Sequence, residues 1–362
     1  MTDDVYKELF EVMKNRRGPY TGIDIPEFYP LVKELFRPEE AQVNNAMPRK
    51  PTTAKDIADE LGRPEKDIVT TLEKMADRGL CKTFLKGGVR YYQGEPFIPG
   101  IFEYQFIPGK TTERDKKIAR LIHAYKTAFN TAKGEAGMTF PTTRVITVDR
   151  TIDAGNTVHT YDQVATYIDK NDTIGVGTCF CRHAAKLVDE DTHDMPMDVC
   201  MWFGNMAAYA IERLGARQMT KQDAREVLEK AEDAGLVHMS RNTTEEIDFI
   251  CNCDRWHCET ISRVLKQSKP ALFFNSGFQP RFDPDLCTAC GTCIERCPPE
   301  ALTLGDNDVP QVDLDRCFGC AVCATGCPSD AIIMAAKPDF PVPPKDPKEL
   351  ITSLKASVAK VT

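Results

Sequence analysis

The sequence predicts a multidomain chain of the α+β class, and three observations carry that prediction. At 362 residues it exceeds one typical domain. Its periodicity changes along the chain, from helical spacing at the start to strand-like runs alternating with helices in the middle. Near the C-terminus a cysteine-dense block repeats itself, with Asp283-Pro-Asp-Leu-Cys287 matching Asp313-Leu-Asp-Arg-Cys317 and Ala301-Leu-Thr-Leu304 matching Ala331-Ile-Ile-Met334. The expected divisions are residues 1–100 (helices and a small helix–hairpin module) and 101–275 (a cysteine-rich α/β domain with a long helix). Residues 280–336 hold the repeat block, and 337–362 a Pro-rich linker with a docking helix.

Taken in order, Val5, Leu9, Val12 and Met13 stand at helical spacing, which predicts an amphipathic opening helix. Arg17-Gly-Pro-Tyr20 is turn-prone, and Phe28 to Phe36 reads as a second helix ending before Pro38. Thr52 to Gly62 reads as a capped short helix stopped by its glycine. A turn and a further helix follow, with Ile68, Leu72 and Met75 facing inward. Cys81 to Leu85 and Val89 to Tyr92 form a hairpin across Gly87-Gly88. Helix, helix, hairpin resembles a winged helix-turn-helix module, which implies a second helix able to enter a DNA groove. That helix carries Lys66, Lys74 and Arg78 beside Glu65, Asp67, Glu73 and Asp77. Its mixed charge disfavours nucleic acid as a partner and leaves protein docking as the preferred reading. Cys81, a lone thiol, reads as a packed core residue.

Thr111 to Lys133 is a long helical pattern built on Ile118, Leu121, Ile122, Tyr125 and Phe129, broken by Gly134 to Pro141. Arg144 to Val148 reads as a strand, Tyr161 to Lys170 as a helix, and Thr173 to Thr178 as a strand running into Cys179. The Gly-x-Gly within it lacks the third glycine of a dinucleotide fingerprint, and the chain has no P-loop.

Three stretches of this region carry thiols: Cys179-Phe-Cys181-Arg182-His183, Asp198-Val-Cys200, and Cys251-Asn-Cys253-Asp-Arg-Trp-His-Cys258. The first and third follow strand-like runs and lead into helical patterns, where the backbone is electropositive and favours ionised thiols. Val199 to Leu214 and Lys221 to Gly235 read as helices between them. Four of the six thiols would satisfy one metal centre. Cys179, Cys181 and Cys251 with Cys253 or Cys258 form the expected set for a third [4Fe-4S] cluster, with structural zinc as the alternative. Cys200, read at the start of an apolar helix, is a core thiol first and a ligand second. His183 and His257 are expected to hydrogen-bond around the ligands, and Arg182 to pair with cluster sulfur or a carboxylate.

The repeat block reads Cys287-x-x-Cys290-x-x-Cys293-x-x-x-Cys297-Pro298 and again Cys317-x-x-Cys320-x-x-Cys323-x-x-x-Cys327-Pro328. Three sulfurs at this spacing wrap one cubane, and the fourth serves the neighbouring cluster. One set is therefore Cys287, Cys290, Cys293 and Cys327, the other Cys317, Cys320, Cys323 and Cys297. Zinc sites use separated Cys-x-x-Cys pairs, and disulfide frameworks belong to short secreted chains, so neither fits. Apolar residues after each Cys-Pro predict short covering strands, and Gly291 and Gly319 would let backbone amides approach the sulfurs. From about Phe282 to Ala335 the chain resembles the bacterial two-cluster ferredoxins. Taken whole, it resembles ferredoxin-domain proteins of anaerobes that join a winged helix, a Cys-x-Cys-Arg domain and a two-cluster ferredoxin. Phe97 to Gln105, Cys179 to His183, Ala234 to His238 and Ile250 to Cys253 carry that resemblance. In such relatives the last stretch is richer in cysteine, where Asp254, Trp256 and His257 stand here. The resemblance implies electron transfer inside a larger redox assembly.

The totals agree. Composition is 42% hydrophobic and 28% charged, with fifteen cysteines, and a net charge of −8 disfavours bulk attraction to nucleic acid. Free thiolates for metal imply a reducing compartment, and oxygen-sensitive clusters imply an anaerobic cytoplasm. The acidic N-terminus is not expected to be a signal peptide, and no apolar run approaches a membrane span. Leu350 to Val361 is an expected amphipathic docking helix after the Pro-rich linker. The leading functional expectation is a one-electron relay to a partner oxidoreductase, with a homo-oligomer also compatible. The alternatives are a redox-sensing winged-helix regulator, tested by promoter gel shift, and an oxidoreductase acting at the central cysteines, where Arg182, His183 and His257 would serve.

Overall fold

The computed structural model describes residues 2–16, 22–48, 50–133, 140–153, 163–245, 247–305 and 307–358. The turn-prone stretch at 17–20, the helix break at 134–139, the start of the 161–170 helix and the end of the C-terminal helix lie wholly or partly outside them. The chain mixes helix and sheet, and it divides into two compact units. One comprises Met1–Ala136, Gly177–Thr192 and Asn205–Arg217; the other comprises Gly137–Val176, His193–Gly204 and Gln218–Thr362. No helix among the described residues is long and apolar enough to cross a membrane.

In the first unit, helices Thr2–Lys14, Phe28–Leu35 and Pro38–Asn45 precede helices Ala54–Leu61 and Glu65–Asp77. The second helix ends at Leu35, but Pro38 opens a new one: a proline at the first helical position loses no needed donor, and the Glu40 carboxylate accepts the Arg37 amide at 2.9 Å. Thr53 caps the Ala54–Leu61 helix with Asp56, and Gly62 ends it at φ +60°. Strands β1 (Lys82–Lys86) and β2 (Val89–Gln93) pair antiparallel, with Gly87 and Gly88 at φ +58° and +77°, as a two-residue hairpin turn requires. Phe28 centres the core, with ring centroids at 5.1 Å from Phe10 and 5.0 Å from Phe97. Cys81 is wholly buried and its thiol donates to the carbonyl of Leu72, as expected of a packed residue.

A six-stranded sheet is built chiefly from residues of the second unit. Its strands are β3 (Thr143–Val145), β4 (Ile174–Thr178), β5 (Asp198–Phe203), β6 (Arg217–Met219), β7 (Val237–Arg241) and β8 (Phe249–Cys253), in the spatial order β3-β7-β8-β5-β4-β6. On one face Val199, Met201, Phe203 and Ile250 join residues of helices Val164–Lys170 and Lys221–Asp233 in a single core. This corrects the reading of Val199 to Leu214 as one helix. Alternate residues of 198–203 turn to opposite faces with period two, and the helix begins only at Gly204, whose φ is +57°. The uniformly apolar run had masked that alternation.

The repeat block follows. Strand β9 (Phe278–Phe282) pairs with β12 (Ile332–Ala336), and β10 (Leu302–Leu304) pairs with β11 (Pro310–Val312). The internal repeat extends to backbone detail. Cys287 and Cys317 donate their amides to the carbonyls of Asp283 and Asp313 at 3.0 and 2.9 Å. The carboxylates of Asp283 and Asp313 accept from Asp285 and Asp315, each at 2.9 Å. Asp283 and Asp313 also donate across the repeat, to the carbonyls of Ala331 and Ala301.

Candidate metal centres

The two cysteine runs fold into two thiol-lined cavities in the second unit. The first is lined by Cys287, Cys290, Cys293 and Cys327, with Phe282, Pro310 and Ile332 among its walls. The second is lined by Cys297, Cys317, Cys320 and Cys323, with Pro280, Leu302 and Met334. Each run sends three sulfurs to one cavity and its fourth to the other, because the chain turns away after the short helices Thr292–Glu295 and Val322–Thr325.

The cavities differ in their contact with solvent. Cys290 is exposed and Cys287 and Cys327 are half-buried, whereas all four thiols of the second cavity are buried. Burial pushes Cys317 and Cys323 above the ordinary thiol range, raises Cys297 to about 11, and drives Cys320 higher still. Cys290 moves the other way, its thiolate favoured by the hydroxyl and amide of Thr292. Amides also reach sulfur from Ala301, at 3.3 Å to Cys297, from Gly319 to Cys317, and from Val322 to Cys320. Thiols this hard to ionise become thiolates when a cation takes up the charge.

Soft donors in fours, amides aimed at sulfur and apolar walls fit a cubane cluster. Among the described residues no three His, Cys, Asp or Glu side chains converge on a point a single metal ion could fill. A cubane asks for something different, four sulfurs set around a cage with one iron each.

The central cysteines divide. Cys179 precedes helix Phe180–Leu187 in the first unit and is buried, as are Arg182 and His183; Cys181 is half-buried. The His183 ring nitrogen Nε2 lies 2.8 Å from the carbonyl of Lys110, so this imidazole is held by backbone. Cys200, Cys251, Cys253 and Cys258 all belong to the second unit. Cys251 shares hydrogen bonds with Cys200 and Cys253, and Cys258 is close enough to act on it electrostatically. The contact with Cys200, with burial behind it, holds the Cys251 thiol well above its usual range. Cys200 is thus a strand residue in contact with another thiol, where the sequence had suggested a helical core position. His257 sits beside Asp254, Nδ1 to Oδ2 at 3.3 Å, and its ring lies 5.8 Å from that of His193.

A protein-family model described as a 4Fe-4S dicluster domain matches residues 286–331. This stretch is an iron–sulfur, ferredoxin-like domain that binds [4Fe-4S] clusters. No curated protein matches the chain.

Proposed function

We propose that this chain relays single electrons between a low-potential donor and a partner oxidoreductase in an anaerobic redox assembly. In this reading Cys287, Cys290, Cys293 and Cys327 hold one cluster, and Cys297, Cys317, Cys320 and Cys323 the other. A bound [4Fe-4S] cluster takes up or releases one electron without a bond being made or broken in the protein.

The observation that carries the reading is the unequal exposure of the two cavities. Cys290 opens the first to a docking partner. Cys320 closes the second within a core that it shares with Cys253 and Cys258 of the central domain. A chain with one solvent-facing port and one inward-facing site suits conduction better than storage. The surface supports this. Between Phe282 and Ala335 there are nine acidic and two basic residues, a balance of −7. Both basic residues are engaged with main-chain carbonyls, Arg296 on Glu232 and Arg316 on Pro299. Such a surface steers towards a basic partner.

The helix–helix–hairpin module is assigned a winged-helix protein-docking role. Glu73 and Asp77 of its second helix pair with Arg213, and Arg78 pairs with Glu40, so this helix presents no basic stripe to a phosphate backbone. A third centre at the central cysteines, iron–sulfur in preference to zinc, completes the relay, and an anaerobic cytoplasm is its setting. The test is anaerobic stopped-flow reaction of the reduced chain with a basic c-type cytochrome as one-electron acceptor. The relay reading expects oxidation that slows as salt rises; a reduced chain that fails to pass electrons to any one-electron acceptor would refute it.

A further inference from the structure

We infer that Cys200, Cys251, Cys253 and Cys258 are the complete ligand set of a third iron–sulfur cluster, built wholly within the second unit. The inference deepens the relay reading and rests on it for the class of metal; the convergence of the four thiols stands on the fold alone.

Strand geometry places three of the four. Cys251 and Cys253 are two residues apart on β8, so their side chains leave the same face of the sheet. β5 runs antiparallel to β8 with Met201 opposite Ile250 and Trp202 opposite Phe249, which sets Cys200 opposite Cys251. Directly opposed residues of such a pair have Cβ atoms about 4.5–5.5 Å apart, and Cys200 and Cys251 share a hydrogen bond. Asn252 fastens this register from the opposite face. Its Nδ2 donates to the carbonyl of Val199 at 2.6 Å, and its Oδ1 lies 2.6 Å from Nδ1 of the buried His238 on β7.

The fourth thiol arrives by a turn. The buried Asp254 carboxylate accepts the amides of Trp256 at 2.8 Å and His257 at 2.6 Å, which folds the chain back after β8. Cys258 emerges from that turn as the residue preceding helix Glu259–Leu265. Ile261 and Val264 of this helix join Cys253, Cys258, Phe318, Cys320 and Val322 in one apolar core. The Phe318 ring meets Phe274 edge-on at 5.0 Å within that core.

The arrangement offers what a cluster requires: four soft donors, of which Cys200, Cys253 and Cys258 are buried and Cys251 is half-buried, an apolar core against Cys253 and Cys258, and secondary structure behind the ligands. Cys179 and Cys181, the pair that sequence spacing favoured, are not needed to complete it. Its apolar core is continuous with the one around Cys320, so the third centre adjoins the inner ferredoxin cluster and not the solvent-facing one.

The test uses the full chain, purified anaerobically, with iron, zinc and acid-labile sulfide counted and Mössbauer spectra recorded. Wild type is expected to hold about twelve irons, as three cubanes require. C200S and C258S are each expected to lose the third centre and retain about eight irons, with the magnetic interaction of the ferredoxin pair still visible by EPR. C179S and C181S are expected to keep all three centres. C258S alters a thiol outside the sheet, so it remains informative if C200S disturbs β5, and the wild-type count needs no variant. A wild type with about eight irons, stoichiometric zinc, or a third centre lost in C179S but kept in C200S would overturn the inference. Failure of the ferredoxin reading would instead remove the interacting-pair signal from wild type.

Discussion

Arg296, the residue before Cys297, donates from Nη2 to the main-chain carbonyl of Glu232 at 3.0 Å. Its Nη1 reaches the carbonyl of Asp233 at 3.2 Å, so one guanidinium caps the end of helix Lys221–Asp233. Carbonyls at a helix C-terminus lack intrahelical donors and carry partial negative charge, which suits a cation. The contact ties the ferredoxin-like domain to the central sheet within the second unit. We predict that R296M lowers unfolding stability by about 1–3 kcal/mol. Denaturant unfolding would show this, with faster iron loss to a chelator as the accompanying sign. Unchanged stability would show that apolar packing alone joins the two.

Two glycines of the repeat separate backbone strain from crowding. Gly291 and Gly319 both have positive φ, +78° and +70°. A Cβ on Gly291 would meet nothing within 4 Å, whereas one on Gly319 would overlap the carbonyl of Phe278 and the hydroxyl of Ser276. Their counterparts in the opposite halves are Ala321 and Ala289, at φ +68° and +55°, so alanine tolerates this conformation here. G291A is expected to cost about 1 kcal/mol and keep its iron. G319A is expected to lose iron from the inner site, measured as iron per chain. Equal behaviour of the two variants would show that crowding at Gly319 is relieved elsewhere.

Burial raises the Asp149 carboxyl to about 6, against opposing hydrogen bonds from the amides of Ala165 and Val164. An unfolded carboxyl titrates near 3.9, so between pH of about 4 and 6 the folded state binds more protons than the unfolded one. Stability from this group therefore falls as pH rises through that window, and the penalty is complete above pH of about 6. D149N should stabilise the chain by roughly 1–3 kcal/mol at pH of about 7 and leave it unchanged below pH of about 4. Melting curves at the two pH values decide it; a stabilisation that persists in acid would refer the effect to something other than ionisation.

Charge around the outer cavity supports a kinetic prediction. Asp283, Asp285 and Asp330 are exposed on the segments that carry Cys287 and Cys327. Changing all three to asparagine should slow electron delivery to a basic acceptor by about tenfold at low salt and have little effect once the Debye length shrinks to about 3 Å at 1 M. A loss that is equal at both ionic strengths would indicate damage to the site in place of lost steering.

The sequence made parts of this plain and hid others, for physical reasons. The eight tail cysteines were legible as a cluster motif because cubane ligation imposes a local spacing, and in the fold they line two cavities, four thiols to each. The hairpin at Gly87-Gly88 and the cap at Thr53 were legible because turns and caps depend on nearest neighbours. Cys200 was not. Its contact with Cys251 depends on strand register across fifty residues of chain, and Asp198 to Phe203 is apolar enough to read as the start of the helix that follows. The grip of Arg296 on Glu232 was equally hidden, since nothing local announces that a ferredoxin arginine will meet a helix end sixty-four residues earlier.

Anaerobic iron and acid-labile sulfide analysis, followed through an EPR-monitored reductive titration, tests the electron-relay account most directly. The account predicts a brown protein with matched iron and sulfide and two interacting [4Fe-4S] signals from the tail cysteines. Protein that is colourless, or that holds iron without sulfide, would contradict it.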